Sequence, residues 1–422
     1  MNEPSPRSLQ RSRFLYLLEA AFEYLISILV TGSFLATITK ELGLSDSLTG
    51  ILSSVISLGC LFQLLSLSIR RTRVKRLVTV MSITNQLLFM LLYVIPLTSL
   101  SQPVKTALFV FFIFSAYFIY YLVHPKKMNW LMSLVDSDKR GRFTANKEML
   151  SLVLGMAFTF GMGAVIDHFS ARGEMRLALT VSAAVIFGLM VLHSLTMIFS
   201  VEPPMPPSAA RNLRQSLVAL LRNRDVLRIA AVLLLYYAAT YISTPFYGTY
   251  QIGELGFSLT FISAITMGGS ISRLLVSRFW GKYADKTSFS IMVEKCFYFL
   301  ALGQLCVVFA APATGKAMFI LYYVFHGIAM GGINSAMTNM IFEYVPKEQT
   351  ADALALTHAV AGLTGFLMTL CISPLVAHIQ KSGFALFGIP IYAQQIVTAL
   401  ALVFTIAAII CIRRMFIHRR TK

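Results

Sequence analysis

The chain has 422 residues, of which 57% are hydrophobic and only 13% charged. That much apolar sequence stocks about twelve membrane spans of about 20 residues each, too many for one soluble core, and it excludes a soluble enzyme, a disordered hub and a disulfide scaffold. The net charge of +18 is spread in short basic clusters between apolar runs, as in loops held against an anionic cytoplasmic leaflet, and implies no nucleic-acid partner.

In chain order, the polar segment Met1 to Arg13 leads into an apolar run longer than a signal-peptide core and without a small-residue cleavage site, so the first span is read as uncleaved. Twelve spans are predicted, at about 14–38, 47–69, 77–99, 104–124, 145–167, 177–200, 227–251, 258–280, 289–311, 317–342, 352–377 and 392–412. Prolines punctuate the gaps between them: Pro96, Pro103, Pro125, the Pro203 to Pro207 stretch, Pro312, Pro346 and Pro390. With alternate loops assigned to alternate sides, 29 Lys and Arg residues fall on the side of the two termini and 6 on the other, with Arg273 alone inside a span. The basic side is the cytoplasm, so both termini are expected there and the protein is expected to be a multi-pass protein of the cell membrane. The five cysteines lie in apolar runs, are odd in number and show no metal-binding spacing, so neither a disulfide framework nor a metal is expected. No cofactor is signalled.

A shift of 210 residues lays Asn129 to Asp138, just after span 4, on Asn339 to Glu348, with matching hydropathy phase. Spans 4 and 5 then overlie spans 10 and 11. Two parallel six-span halves follow, 1–200 and 227–422, joined by a polar, proline-rich cytoplasmic linker at 201–226 with an interfacial helix expected at 211–223.

Six plus six spans, both ends inside, a long basic central loop and a charged short loop between the second and third span of a half: in these features the chain resembles the major facilitator superfamily. The most specific local mark is Gly281-Lys282-Tyr283-Ala284-Asp285-Lys286 between spans 8 and 9, similar to the superfamily's G-x-x-x-D-[RK] motif. The equivalent first-half loop, Arg70 to Arg76, is basic but lacks both the Gly and the Asp. The resemblance implies an all-α polytopic membrane protein with twelve transmembrane helices in two six-helix halves. It makes Asp285, with Gly281, the candidate conformational latch, a carboxylate held at a helix end in one state and released in the other. Span 5 carries Gly155, Gly161 and Gly163 but not the proline of the superfamily's antiporter motif.

Ionisable groups inside a span are costly and mark function. Glu19 and Glu23 lie four residues apart on one face of span 1, where two carboxylates crowded in low dielectric have the chemistry of a proton carrier. Arg273 in span 8 cannot shed its charge, so it needs a carboxylate or an anionic solute, and Glu23 at similar depth is its expected charge partner. His326 and His358 fall inside spans 10 and 11; His193 lies closer to a span end. Polar aromatics form stripes: Tyr237, Tyr241 and Thr244 in span 7, Tyr117, Tyr120 and Tyr121 in span 4, Tyr322, Tyr323 and Asn334 in span 10. In the superfamily these spans line the central cavity, which makes Tyr117, Tyr121, Tyr237, Tyr241, Thr244, His326 and Asn334 the expected substrate-cavity residues. The run Gly327 to Gly332 predicts close helix packing.

The functional expectation is a secondary active transporter, monomeric, that moves a small organic solute by alternating access, with protons coupled through Glu23 assisted by Glu19. A facilitative uniporter and a drug or metabolite efflux carrier are the alternatives within the class. An integral-membrane enzyme is the alternative outside it and lacks a paired nucleophile and base, so no enzymatic activity is expected.

Overall fold

The computed structural model describes residues 5–65, 74–136, 140–203, 223–345, 347–386 and 389–417. The interfacial helix expected at 211–223 and most of the basic loop between 70 and 76 lie outside these residues. The described helices are α1 (Pro6–Leu29), α2 (Gly32–Glu41), α3 (Asp46–Ser54), α4 (Gly59–Leu65), α5 (Lys75–Val94), α6 (Gln102–Met132), α7 (Arg140–Ala171), α8 (Met175–Phe199), α9 (Arg224–Ser243), α10 (Leu259–Lys286), α11 (Phe289–Val308), α12 (Gly315–Tyr344), α13 (Lys347–Ser382) and α14 (Ala393–Ile412). Among the described residues, ten helical segments are long and apolar enough to cross a membrane, and the bent pair α1 and α2, counted as one span, makes an eleventh. The shorter apolar stretch from Asp46 to Leu65, which is α3, a 3-10 turn and α4, stands in the place of the expected second span. Among the described residues, strand structure is confined to a small hairpin pairing Ala385 with Pro390 and Leu386 with Ile389.

Three departures from the expected spans have local causes. The first span is broken: α1 starts early, with Pro6 in its first turn and the Ser5 hydroxyl accepting from the Ser8 N–H, and it meets α2 at a bend of 44°. Gly32 supplies the positive φ of +54° at the break. The fourth span is longer than expected, because α6 runs through Pro125 to Met132 instead of ending there. Proline removes one helical hydrogen bond, but Lys127 and Trp130 beyond it are buried, and their packing keeps the turn helical. The seventh span ends irregularly: after Ser243 the chain passes through a 3-10 turn at Thr244–Phe246 and a widened turn at Tyr250–Glu254, with Pro245 at the switch.

The chain divides into two compact units. The first comprises Met1–Leu44, Leu61–Ala209 and Ser258–Ser263. In it α5 packs on α6 and α8, and α1 packs on α7 and α8. Its core gathers Tyr16, Val78, Val123, Trp130 and Met197, and the Trp130 indole N–H donates to the Val201 carbonyl at 3.0 Å. The second comprises Ser45–Cys60, Ala210–Phe257 and Ala264–Lys422. There α11 packs on α12 and α14, α9 packs on α13 and α14, and α3 lies against α13. Trp280 anchors its core beside Phe297, Ile333 and Met337, and its indole N–H donates to the Ile328 carbonyl at 2.9 Å. As the small-residue run predicts, the backbones of α10 and α12 touch, since a Cβ on Gly327 would collide with the Gly269 carbonyl.

Candidate functional site

A buried charge cluster forms in the first unit where side chains of α1, α6 and α8 meet. Glu19, Lys127 and His193 are 2%, 3% and 0% exposed. Lys127 Nζ donates to Glu19 Oε1 at 2.8 Å and also pairs with Glu23 Oε2. His193 Nε2 lies 3.0 Å from Glu19 Oε1 and 3.5 Å from Glu23 Oε2, while its Nδ1 is buried without a hydrogen-bond partner among the described residues. The Tyr120 ring lies 5.9 Å from Lys127 Nζ, and the Tyr16 ring carries Lys147 Nζ at 5.6 Å. A cavity of about 240 Å³ opens beside Glu23, walled by Tyr24, Tyr120, His124, Lys127 and Glu148. Two carboxylates and one ammonium leave the cluster one positive charge short, and a proton on His193 or on a carboxylate closes the gap. Such a group of desolvated charges is expensive to bury and is weak support for stability, so chemistry is its better explanation.

Sequence reasoning reads Glu19 and Glu23 as a facing pair, and the structure brings them together. It places Lys127 among the basic loop residues between spans 4 and 5, and this is corrected: Lys127 is a buried helical residue inside the fold. The missed signal is the spacing of Tyr120, His124 and Lys127, four and then three residues apart on one face of α6. The sequence reading assigns the cationic partner of Glu23 to Arg273; within its unit Glu23 meets Lys127 and His193. Donor atoms of Glu19, Glu23 and His193 lie within 4.8 Å of one another, close enough to grip a metal ion. The ammonium of Lys127 already bridges both carboxylates.

The second unit holds a cavity of about 180 Å³ lined by Tyr236, Tyr237, Thr240, Tyr241, Asn334 and His358, with Leu233, Ile333 and Met337. The Tyr237 and Tyr241 rings stack at 5.8 Å and 21°. Gly365 of α13 makes room for the Tyr241 ring, to which a Cβ would come within 2.7 Å. Of the expected cavity residues, Tyr237, Tyr241 and Asn334 line this space. Thr244 does not; it sits on the 3-10 turn and its hydroxyl donates to the Thr240 carbonyl at 2.9 Å. His326 packs its ring 5.3 Å from that of Tyr322. In the first unit, Tyr117 is buried against Phe89 and stacks on Tyr121, and the cavity wall is Tyr120 instead. Arg273 is exposed on α10, acts electrostatically on Tyr236 and His326, and makes no ion pair among the described residues.

Gly281 and Asp285 lie in the last two turns of the continuous helix α10, both exposed, and Asp285 makes no hydrogen bond or ion pair among the described residues. The start of α11 is held instead by Ser288, whose hydroxyl accepts from the Ile291 N–H, and by Glu343, which accepts from the Phe289 N–H at 3.3 Å. Glu202 does the same for α5, accepting from the Lys75 N–H at 3.0 Å. Asp167 caps another helix. Its carboxylate accepts from the N–H groups of Leu259 and Thr260 at 3.0 and 2.7 Å and from the Thr260 hydroxyl at 2.5 Å, neutralising the positive end of α10. In the second unit the Ser373 hydroxyl donates to the Ser47 carbonyl at 2.7 Å and Gln380 donates to Asp46 at 2.7 Å, tying α13 to the start of α3.

A bundle of long apolar helices, with a buried charge cluster beside one cavity and polar aromatics around another, has the build of a membrane carrier. The sequence matches the Major Facilitator Superfamily over residues 15–369, and the chain belongs to that family. No curated protein matches the sequence. Among solved structures the fold is similar to that of a mutant of the nucleoside transporter NupG, with a TM-score of 0.72 at 13% identity over 96% of this chain and 100% of that one. A D-xylose–proton symporter matches with a TM-score of 0.64 at 13% identity over 94% and 96% of the two chains. A bacterial metal transporter matches with a TM-score of 0.59 at 12% identity over 97% and 98%.

Proposed function

We propose that the protein is a proton-coupled secondary transporter that moves a small organic solute across the cell membrane by alternating access, with both termini in the cytoplasm. The observation that carries this reading is the buried Glu19–Glu23–Lys127–His193 cluster, a group one positive charge short of neutrality and set in a transporter fold. Glu19, Glu23 and Lys127 all line the neighbouring cavity, and Glu23 is the most exposed of them, its side chain 18% exposed against 3% for Glu19, so it is the point of proton exchange. Glu19 and His193 share the charge with it, and Lys127 holds the pair in register. The solute site is the tyrosine-lined cavity of the second unit. Similarity to a nucleoside transporter and a xylose–proton symporter supports a small polar solute and proton coupling. Asp285, with Gly281, is assigned the latch role, engaged in another state of the cycle.

The test is uptake by purified protein in proteoliposomes with and without an imposed pH gradient, in wild type and Glu23→Gln. Gradient-driven accumulation is expected to vanish in the variant while solute exchange at equal pH persists, because the substitution removes the proton and spares the solute site. Accumulation that survives in Glu23→Gln refutes the coupling role. Wild-type flux indifferent to the gradient identifies a uniporter.

A further inference from the structure

The reading above leaves one membrane-embedded charge without a task. Arg273 sits inside an apolar span and cannot lose its proton, so its position needs an explanation. A guanidinium reaching to the lipid headgroups would be the simplest one, and the geometry of α10 argues against it. On that helix the large apolar side chains open to the surroundings are Leu275 at 76%, Phe279 at 61%, Leu274 at 46% and Ile271 at 44%. At about 100° per residue these four fall on one side, the lipid stripe, and Arg273 lies roughly opposite its centre. Its own side of the helix is the protein side. A Cβ on Gly331 of α12 would lie 3.1 Å from the Arg273 carbonyl and 2.7 Å from Val276, and Trp280, two turns on, is 4% exposed. Electrostatically, Arg273 bears on Tyr236 of α9 and His326 of α12, both on the protein side. Tyr236 also walls the 180 Å³ cavity. Arg273 is nonetheless exposed and makes no ion pair or side-chain hydrogen bond among the described residues. Among the described residues this exposed cation faces away from lipid and meets no carboxylate, and its neighbour Tyr236 walls the cavity that Arg273 itself does not line.

We propose that the solute is a small organic anion whose carboxylate or phosphate is received by Arg273, while Tyr236, Tyr237 and Tyr241 cover its carbon skeleton. This rests on the transporter reading and names its substrate class. Arginine suits either group, because its fork of N–H donors matches carboxylate and phosphate oxygens bidentately. Asn334, Thr240 and His358 supply the polar contacts of the cavity, at whose Tyr236 edge Arg273 acts. The volume corresponds to about six water molecules at about 30 Å³ each, which sets the scale at a small solute. An arriving anion discharges the isolated guanidinium, whereas a neutral solute would leave it uncompensated.

The test presents wild type, Arg273→Gln and Arg273→Lys with benzoate, glucuronate and glucose 6-phosphate, and with benzamide and glucose as neutral counterparts. Two readouts are taken: ligand-induced thermal shift of the purified protein in detergent, and uptake in proteoliposomes. Wild type is expected to prefer an anion over its neutral counterpart, and Arg273→Gln to lose about thirtyfold or more of that preference. Arg273→Lys keeps the charge and loses the fork, so it retains part of the preference and serves where the glutamine variant fails to fold. The carboxylate and phosphate arms distinguish the two head groups. A neutral compound bound and carried as well as its acid, or an anion preference that survives Arg273→Gln, overturns the anion assignment and leaves the transporter reading standing. No thermal shift and no flux with any of the five compounds counts against both.

Discussion

Replacing Lys127 with methionine keeps most of the side chain's volume and removes the one ammonium shared by Glu19 and Glu23. The ammonium lies 2.8 Å from Glu19 Oε1, a separation worth roughly 6 kcal/mol of direct attraction at an effective dielectric near 20. Part of that is offset by the cost of desolvating the charges, and removal of one partner from a buried pair costs about 3–5 kcal/mol. Lys127→Met is therefore expected to destabilise the protein by about that amount. Adding Glu19→Gln removes one of the stranded carboxylates, so the double variant is expected to recover at least about 2 kcal/mol relative to the sum of the single effects. Trp130 lies on the same helix, buried and close to one turn from Lys127, so its fluorescence in detergent-purified protein carrying Trp280→Phe reports the unfolding transition locally. The reasoning fails if the two substitutions add to within about 0.5 kcal/mol, the behaviour of sites that do not interact.

Two further outcomes follow from single contacts. Asp167→Ala strips two backbone N–H groups and a hydroxyl at the start of α10 of their acceptor and is expected to lower stability by about 0.5–2 kcal/mol, read as a fall in melting temperature; an unshifted transition would show that the cap carries no weight. Gly327→Ala forces a methyl into the Gly269 backbone and is expected to cost about 1–3 kcal/mol, whereas Gly281→Ala on the open face of α10 is expected to be neutral or mildly stabilising; equal effects in the two variants would remove the close-packing argument.

The membrane class and the helical plan were legible because hydropathy and the placement of basic residues are summed over hundreds of positions, where no single residue decides. The Glu19 and Glu23 pair was legible because a four-residue spacing on a helix is a local relation, and the same holds for the Tyr237 and Tyr241 stripe. Lys127 was hidden by Pro125, which signals a helix end when its neighbours are read alone, although burial beyond it carries the helix onward. Thr244 slipped from the stripe because the helical phase changes at Pro245. The cap at Asp167 was beyond reach for another reason: its partners are more than ninety residues away, and no local pattern links a carboxylate to a distant backbone N–H. His193 joins its cluster from 174 residues beyond Glu19 and carried no local mark either.

The tie between Ser47 and Ser373 spans 326 residues of chain. At about 5–20 residues per second, roughly 16 to 65 seconds of synthesis separate the two serines leaving the ribosome. For that interval α3 exists without α13, against which it finally rests, so the first helix of the second unit must wait, shielded by lipid or by the insertion machinery, until 326 further residues have been made.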